Sequence, residues 1–262
     1  MRPLIQWPAE QRARIRGVFT DIDDTLTTDG RITPDALAAL TRLRLAGLPV
    51  FAITGRPAGW SETFALTWPV NAIVVENGAV ALWRGAQGQL HKAWLQDAAT
   101  RLANRAHLDA VAQTVLRQFP QAHLAEDSSG RETDIAIDHS ERHLLPADTA
   151  EAIAALMRAQ GLNATISSIH INGWIGEHNK LVGARWILRE HLQWTLEEQR
   201  DQWLYVGDST NDQVMFAGLS QSAGVANLQR FLPLLTHRPR YLAHAERGAG
   251  FAEVVDALLA AQ

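Results

Sequence analysis

Three carboxylates, Asp21, Asp23 and Asp24, fall within four positions of the run from Gly17 to Thr28. Groups of like charge so close together repel unless a cation offsets them. A second acidic pair, Asp208 and Asp212, stands in Gly207-Asp208-Ser209-Thr210-Asn211-Asp212. If the two groups met, four carboxylates would crowd one cleft, and that much charge calls for a metal. The chain has no cysteine and no histidine cluster near these acids. The donors are therefore oxygens and the expected ion is hard, Mg²⁺ above all. Thr54 adds a hydroxyl, and the turn Thr54-Gly55-Arg56 offers backbone N–H groups suited to an anion. Lys180 adds an amine near a predicted helix start, where the helix dipole also favours phosphate. Carboxylates, one hydroxyl, one amine and a hard cation together describe phosphoryl transfer.

These residues need elements that bring them to one place. Val18 and Phe19 begin a short apolar strand that ends in acid at Asp21. Pro49 to Ile53 reads as a second strand ending at Thr54, Asn71 to Val75 as a third ending at Glu76-Asn77, and Trp203 to Val206 as another ending at Gly207-Asp208. Between the first two, Thr33 is a predicted N-cap with Pro34 at the first helical position, Leu37, Leu40 and Leu43 keep helical spacing, and Gly47 closes the helix. Strand, helix and strand in so short a span make a βαβ unit with parallel strands. Ligands of such sheets bind beyond the carboxyl ends of the strands, where these polar groups stand.

From about residue 85 the texture changes to hairpin-like strands, Val80 to Trp83, Leu90 to Trp94 and Thr133 to Ile137, mixed with helices at Ala106 to Phe119 and Ala147 to Gln160. Ala164 to Asn172 reads as one further strand. The expected fold is α/β: a doubly wound, Rossmann-like parallel sheet from residues 1–84 and 176–262, with an inserted α+β domain at 85–175.

The 262 residues are 47% hydrophobic and 20% charged, the composition of an ordinary globular protein. A formal net charge of −4 gives no electrostatic footprint for nucleic acid or an anionic membrane. No apolar run approaches the roughly 20 residues of a membrane span. The expected setting is the cytoplasm, with neither nucleic acid nor membrane as partner. His139 and His143 have helical spacing but no third ligand, so zinc is not expected there.

In its motifs the chain resembles the haloacid dehalogenase (HAD) superfamily of phosphatases. The first motif of that superfamily is matched by Asp21-Ile22-Asp23-Asp24-Thr25, the second by Thr54, the third by Lys180 and the fourth by Gly207-Asp208 through Asp212. The block between the second and third motifs resembles a C2-type cap, and the Asp-Asp-Thr-Leu form is similar to sucrose- and trehalose-phosphate phosphatases. The resemblance implies that Asp21 attacks phosphorus to form an aspartyl-phosphate, while Asp23 protonates the leaving alcohol and then activates water. It implies that Thr54 and Lys180 hold the phosphate and that Asn211 either contacts it or backs the metal ligands; Gly55 and Arg56 join them as candidates from the turn itself, Arg56 either reaching the substrate or capping the helix that follows. It also implies that Asp21, Asp23 (through its backbone carbonyl), Asp208 and Asp212 surround Mg²⁺. The expected activity is hydrolysis of a small phosphorylated metabolite such as a sugar phosphate. A phosphomutase or phosphotransferase using the same intermediate, a receiver-like phosphoacceptor and a catalytically silent binding protein are the alternatives.

Overall fold

The computed structural model describes residues 1–262. In chain order its strands are β1 (Arg2–Pro3), β2 (Gly17–Thr20), β3 (Thr27–Thr28), β4 (Arg31–Ile32), β5 (Val50–Ile53), β6 (Ala72–Val75), β7 (Val80–Arg84), β8 (Leu90–Trp94), β9 (His123–Leu124), β10 (Asp134–Asp138), β11 (Asn163–Ile166), β12 (His170–Trp174), β13 (Trp203–Gly207), β14 (Gln221–Gly224) and β15 (Tyr241–Leu242). The helices are α1 (Ala9–Arg12), α2 (Pro34–Leu45), α3 (Ala58–Thr67), α4 (Ala98–Gln118), α5 (Ala147–Ala159), α6 (Lys180–Leu192), α7 (Gln213–Gly218) and α8 (Arg247–Leu259).

Nine strands form one sheet in the order β1-β15-β14-β13-β2-β5-β6-β7-β8, parallel except for the β7 and β8 edge. Its central strands are apolar on both faces, and alternate side chains enter different cores. Val18, Val50, Ala52, Leu204 and Val206 pack with α2 and α8 on one side. Phe19, Phe51, Ile53, Trp203 and Tyr205 pack with α6 and α7 on the other. The doubly wound α/β expectation therefore holds. Thr33 caps α2 as expected, its hydroxyl accepting from the Ala36 N–H at 3.3 Å.

A second sheet, in the order β11-β12-β10-β9, is antiparallel. It is covered by α4 and α5 over a core that includes Leu108, Val111, Ile135, Ile153, Met157 and Ile171. This is the α+β unit, here called the cap, but its start differs from the expected residue 85. That boundary would cut the β7–β8 hairpin, and β8 belongs to the large sheet. Leu90 and Trp94 of β8 pack against the main core, which holds the hairpin there. The span from Ala164 to Asn172 also differs from expectation. It is a hairpin rather than one strand, because the Ser167 hydroxyl accepts from the N–H groups of Ile169 and His170 and turns the chain.

Candidate active site

Parallel pairing of β13, β2, β5 and β6 sets Asp208, Asp21, Thr54 and Glu76 along one rim of the large sheet. The Asp21 N–H donates to the Val206 carbonyl at 2.9 Å, which locks the first motif against the strand that leads to Asp208. Carboxylate oxygens of Asp21, Asp208 and Asp212 lie within 4.8 Å of one another. Lys180, at the first position of α6, reaches in from the other side. Its Nζ stands 2.8 Å from Asp21 Oδ1 and 2.7 Å from Asp212 Oδ1.

Asp212 is the most completely bonded of these acids. Oδ1 accepts from Lys180 and from the Tyr205 hydroxyl. Oδ2 accepts from the N–H groups of Asp208 and Ser209 at 2.8 and 3.0 Å. Only glycine fits at 207, since a Cβ there would lie 2.5 Å from Asp212 Oδ2. Asp212 therefore shapes the loop and anchors Lys180. Asp208 is the opposite case. Its Oδ2 accepts from Asn227 Nδ2 at 3.0 Å, while Oδ1 is buried with no protein partner.

Three carboxylates face one ammonium, with only the half-exposed Arg230 further off at 3.8 Å from Asp208, so the cluster is short of positive charge. Burial, reinforced by Asp21 and Asp212, pushes the Asp208 carboxyl well above its usual range. Burial also lifts Asp21 to about 7, against the pull of Lys180. Burial alone would lower Lys180, but Asp21 and Asp212 overcome it and keep the amine protonated. An all-oxygen donor set, a shortage of positive charge and the orphaned Asp208 Oδ1 fit a hard divalent cation.

Asp23 points elsewhere. Its carboxylate lies outside that cluster and is gripped by Arg56, whose Nε donates to both oxygens at 3.0 and 3.1 Å. The Asp23 carboxylate is thus no member of the acidic group expected around a metal. Arg56 differs from expectation too. Its guanidinium is bonded to carboxylates, Asp23 on the core and Asp127 and Glu141 on the cap, so no arm is free for phosphate in this arrangement. Thr54 Oγ1 accepts from the Arg56 N–H at 3.0 Å and faces Asp23 Oδ2 at 3.5 Å. The Gly55 carbonyl accepts from Arg131 and Asn172 of the cap. Asn211 accepts from Ser209 Oγ at 2.9 Å.

Asp21, Asp23, Thr54, Gly55, Arg56 and Asn211 line one cavity, roofed by the Ser167–His170 turn of the cap. Its volume is ≈ 10 Å³, about the space of one water. The sequence places Glu76 at the end of a strand on this rim, but gives no sign of the roof or of the bonds that secure it. Glu76 accepts from the N–H groups of Ala58, Glu132 and Thr133 and from the Thr133 hydroxyl, tying the rim to the cap. Of six non-glycine residues at positive φ, five (Asp24, Asp29, Glu76, Asn77 and Arg247) lie at the rim or beside it, and strained backbone of this kind gathers at functional sites. His139 and His143 lie outside any helix and bind Ser167 and Asp138 respectively.

Comparison with known proteins bears on the fold and on residues 18–107. The profile of a family described as haloacid dehalogenase-like hydrolase matches residues 18–107, which carry the first two motifs. No curated protein sequence matches the chain. Among solved structures, protein 0175 of Thermoplasma acidophilum is 17% identical with a TM-score of 0.68, over 94% of this chain and 98% of that one. The sucrose-phosphatase of Synechocystis, solved with sucrose and phosphate, is 16% identical with a TM-score of 0.64, over 94% and 98%. BT1666 of Bacteroides thetaiotaomicron, from a study of HAD-superfamily phosphatases, is 15% identical with a TM-score of 0.64, over 95% and 96%. Residues 18–107 thus match the haloacid dehalogenase-like hydrolase profile, and the chain shares the fold of these solved structures over nearly its whole length. No helix is long and apolar enough to cross a membrane.

Proposed function

We propose that this protein is a Mg²⁺-dependent phosphomonoester hydrolase acting through an aspartyl-phosphate on a small phosphorylated metabolite, with a sugar phosphate the preferred class. The observation that carries the reading is the buried cluster of Asp21, Asp208 and Asp212 held by a single lysine. The Asp208 side chain, an Asp21 oxygen and the Asp23 backbone carbonyl would hold the ion, which when bound offsets charge on the phosphoryl oxygens.

The chain's own residues account for the rest. An Asp21 carboxylate oxygen attacks phosphorus as the bond to the leaving oxygen breaks, and Asp23 passes a proton to that oxygen. Water then attacks the phosphorus of the aspartyl-phosphate and gives its proton to Asp23, freeing phosphate and restoring Asp21. Lys180 orients Asp21, and Thr54 and Asn211 border the phosphoryl group. Because Arg56 covers both oxygens of Asp23, it must shift when the leaving group arrives. Opening of the cap, which carries two of its partners, is the natural occasion.

The sugar-phosphate preference draws support from the Synechocystis sucrose-phosphatase among the neighbours and from the Asp-Asp-Thr-Leu form of the first motif. We place the protein in the cytoplasm, acting on neither nucleic acid nor membrane. The test is a panel of phosphomonoesters with sugar phosphates included. Phosphate release should stop in EDTA and return with Mg²⁺; release that persists in EDTA would refute the metal assignment.

A further inference from the structure

The carboxyl rim of the large sheet has a further member that takes no part in the steps above. β14 runs parallel to β13, so its exit falls beside Gly207-Asp208, and Asn227 follows shortly after its end at Gly224. The backbone there is held from two sides. The Val225 N–H donates to the Gly207 carbonyl at 3.2 Å, and the Ala226 N–H donates to the Ala245 carbonyl ahead of α8 at 3.0 Å. Asn227 is only 9% exposed, and its whole amide is used. Nδ2 donates to Asp208 Oδ2 and to the Asp24 carbonyl, both at 3.0 Å. Oδ1 accepts from the N–H of Arg247, the first residue of α8, at 2.9 Å.

A primary amide meets these demands where other short side chains do not. A carbonyl can only accept and a backbone N–H can only donate, so Asp24 and Arg247 together fix which way the amide faces. A hydroxyl has a single hydrogen to give and could not serve both Asp208 and Asp24. A carboxylate has none when ionised and would set like charge against Asp208 Oδ2.

Both Nδ2 bonds bear on groups assigned above to the ion. At Asp208 the bond commits Oδ2, and the oxygen left without a partner is Oδ1. At Asp24 the effect passes through the backbone. Asp24 has a φ of 54°, a left-handed conformation that residues with a Cβ adopt at a cost. That angle sets the direction of the preceding peptide, which carries the Asp23 carbonyl. Three groups hold the twist: Asn227 on the Asp24 carbonyl, and Arg230 and Arg247 on its carboxylate at 3.0 and 3.2 Å. Arg230 is half-exposed and stays 3.8 Å from Asp208. Asn227 is buried and hydrogen-bonds to both acids, 203 and 19 residues away in sequence. We infer that Asn227 is a positioning residue of the metal site, setting the Asp208 carboxylate and, through Asp24, the Asp23 carbonyl in place before the ion arrives. The inference rests on the metal assignment above and adds to it the side chain that organises the ligands.

The test is calorimetric titration of the metal-free full chain with Mg²⁺ alone, with no substrate present. Asn227→Ala should weaken Mg²⁺ binding by about 10–100-fold, the loss expected when a group that orients a metal ligand is removed. It should raise the Mg²⁺ concentration for half-maximal phosphate release by the same factor. Gln221→Leu controls for a merely structural loss. Gln221 opens β14 at the end away from the rim, is buried, and accepts from Trp7 Nε1 at 3.1 Å. Its loss should lower the melting temperature as Asn227→Ala does, yet leave Mg²⁺ affinity at the wild-type value. Asn227→Ser, which keeps a hydroxyl in place of the amide, carries the same test if Asn227→Ala fails to fold. Wild-type affinity in either Asn227 variant, or an equal loss in Gln221→Leu, would overturn the inference. A wild-type chain that takes up no Mg²⁺ would overturn it together with the metal assignment. A wild-type chain that takes up Mg²⁺ but releases no phosphate from any phosphomonoester would refute the phosphatase reading alone, and the comparison of affinities would still decide the role of Asn227.

Discussion

Two buried carboxylates, Asp208 on the core and Asp134 on the cap, are both wholly inaccessible, yet their surroundings differ. Asp134 takes two bonds from Arg131 at 3.0 Å and one from Asn172 at 3.1 Å. Its neighbours Asp127 and Glu141 are matched by Arg56, Arg131 and His170. Asp208 has one amide donor, an oxygen with no partner and a distant arginine at 3.8 Å. The cap carboxylates are bonded on their oxygens by groups of the chain and work as a clasp. A buried carboxylate oxygen with no partner, such as Asp208 Oδ1, must be completed by something from outside the chain. On this ground we place the chemistry at the core rim and give the cap cluster the role of holding the two units together.

The largest effect should come from Asp21→Asn. It should lower kcat by at least about 10⁴-fold, with a melting temperature no lower than wild type, since a buried charge is removed. A variant retaining substantial turnover would take the nucleophile's role from Asp21. Next comes Lys180→Met, which strands two buried carboxylates. It should cost about 3–5 kcal/mol of stability in denaturant melts and about 10²–10³-fold in kcat; a stable, active variant would show that the cluster is not balanced by Lys180.

The pH dependence of stability sharpens the contrast. Burial lifts both Asp21 and Asp134 to about 7, against Lys180 and Arg131 respectively. A carboxyl with a raised folded-state pKa holds its proton more tightly when folded. Its contribution is therefore full below about pH 4 and is lost as pH rises through about 7. Metal-free protein should lose melting temperature over that window. Mg²⁺ should remove the share due to Asp21 and Asp208 but leave that of Asp134, which only Asp134→Asn should abolish. A slope that Mg²⁺ erases entirely, or leaves untouched, would erase the distinction between the two clusters. The smallest effect belongs to Glu141→Gln. It loosens one partly exposed arm of the clasp and should change stability by no more than about 1 kcal/mol and kcat/KM by a few fold. A loss as large as that of Lys180→Met would make the cap cluster catalytic.

What could be read beforehand follows the same division. Asp21, Thr54 and Asp208 end short apolar strands, a local pattern, and parallel pairing then brings them together. The clasp is non-local. Arg56 meets Asp127 and Glu141 across 71 and 85 residues of sequence, and nothing in the spacing of loop acids foretells such pairs. The Ser167–His170 roof was hidden because Thr165, Ile166 and Ile169 to Ile171 continue a strand-like pattern across a turn made by one serine hydroxyl. The β8 strand was placed with the cap because a hairpin looks the same in sequence whichever sheet it joins.

The central claim is that Asp21 itself carries the phosphoryl group. Rapid acid quench of Mg²⁺-loaded enzyme during turnover of a phosphomonoester, followed by peptide mass spectrometry, tests it most directly. The account predicts a phosphoryl adduct on Asp21 that is lost in Asp21→Asn. An adduct on another side chain, or phosphate release at full rate from Asp21→Asn, would contradict it.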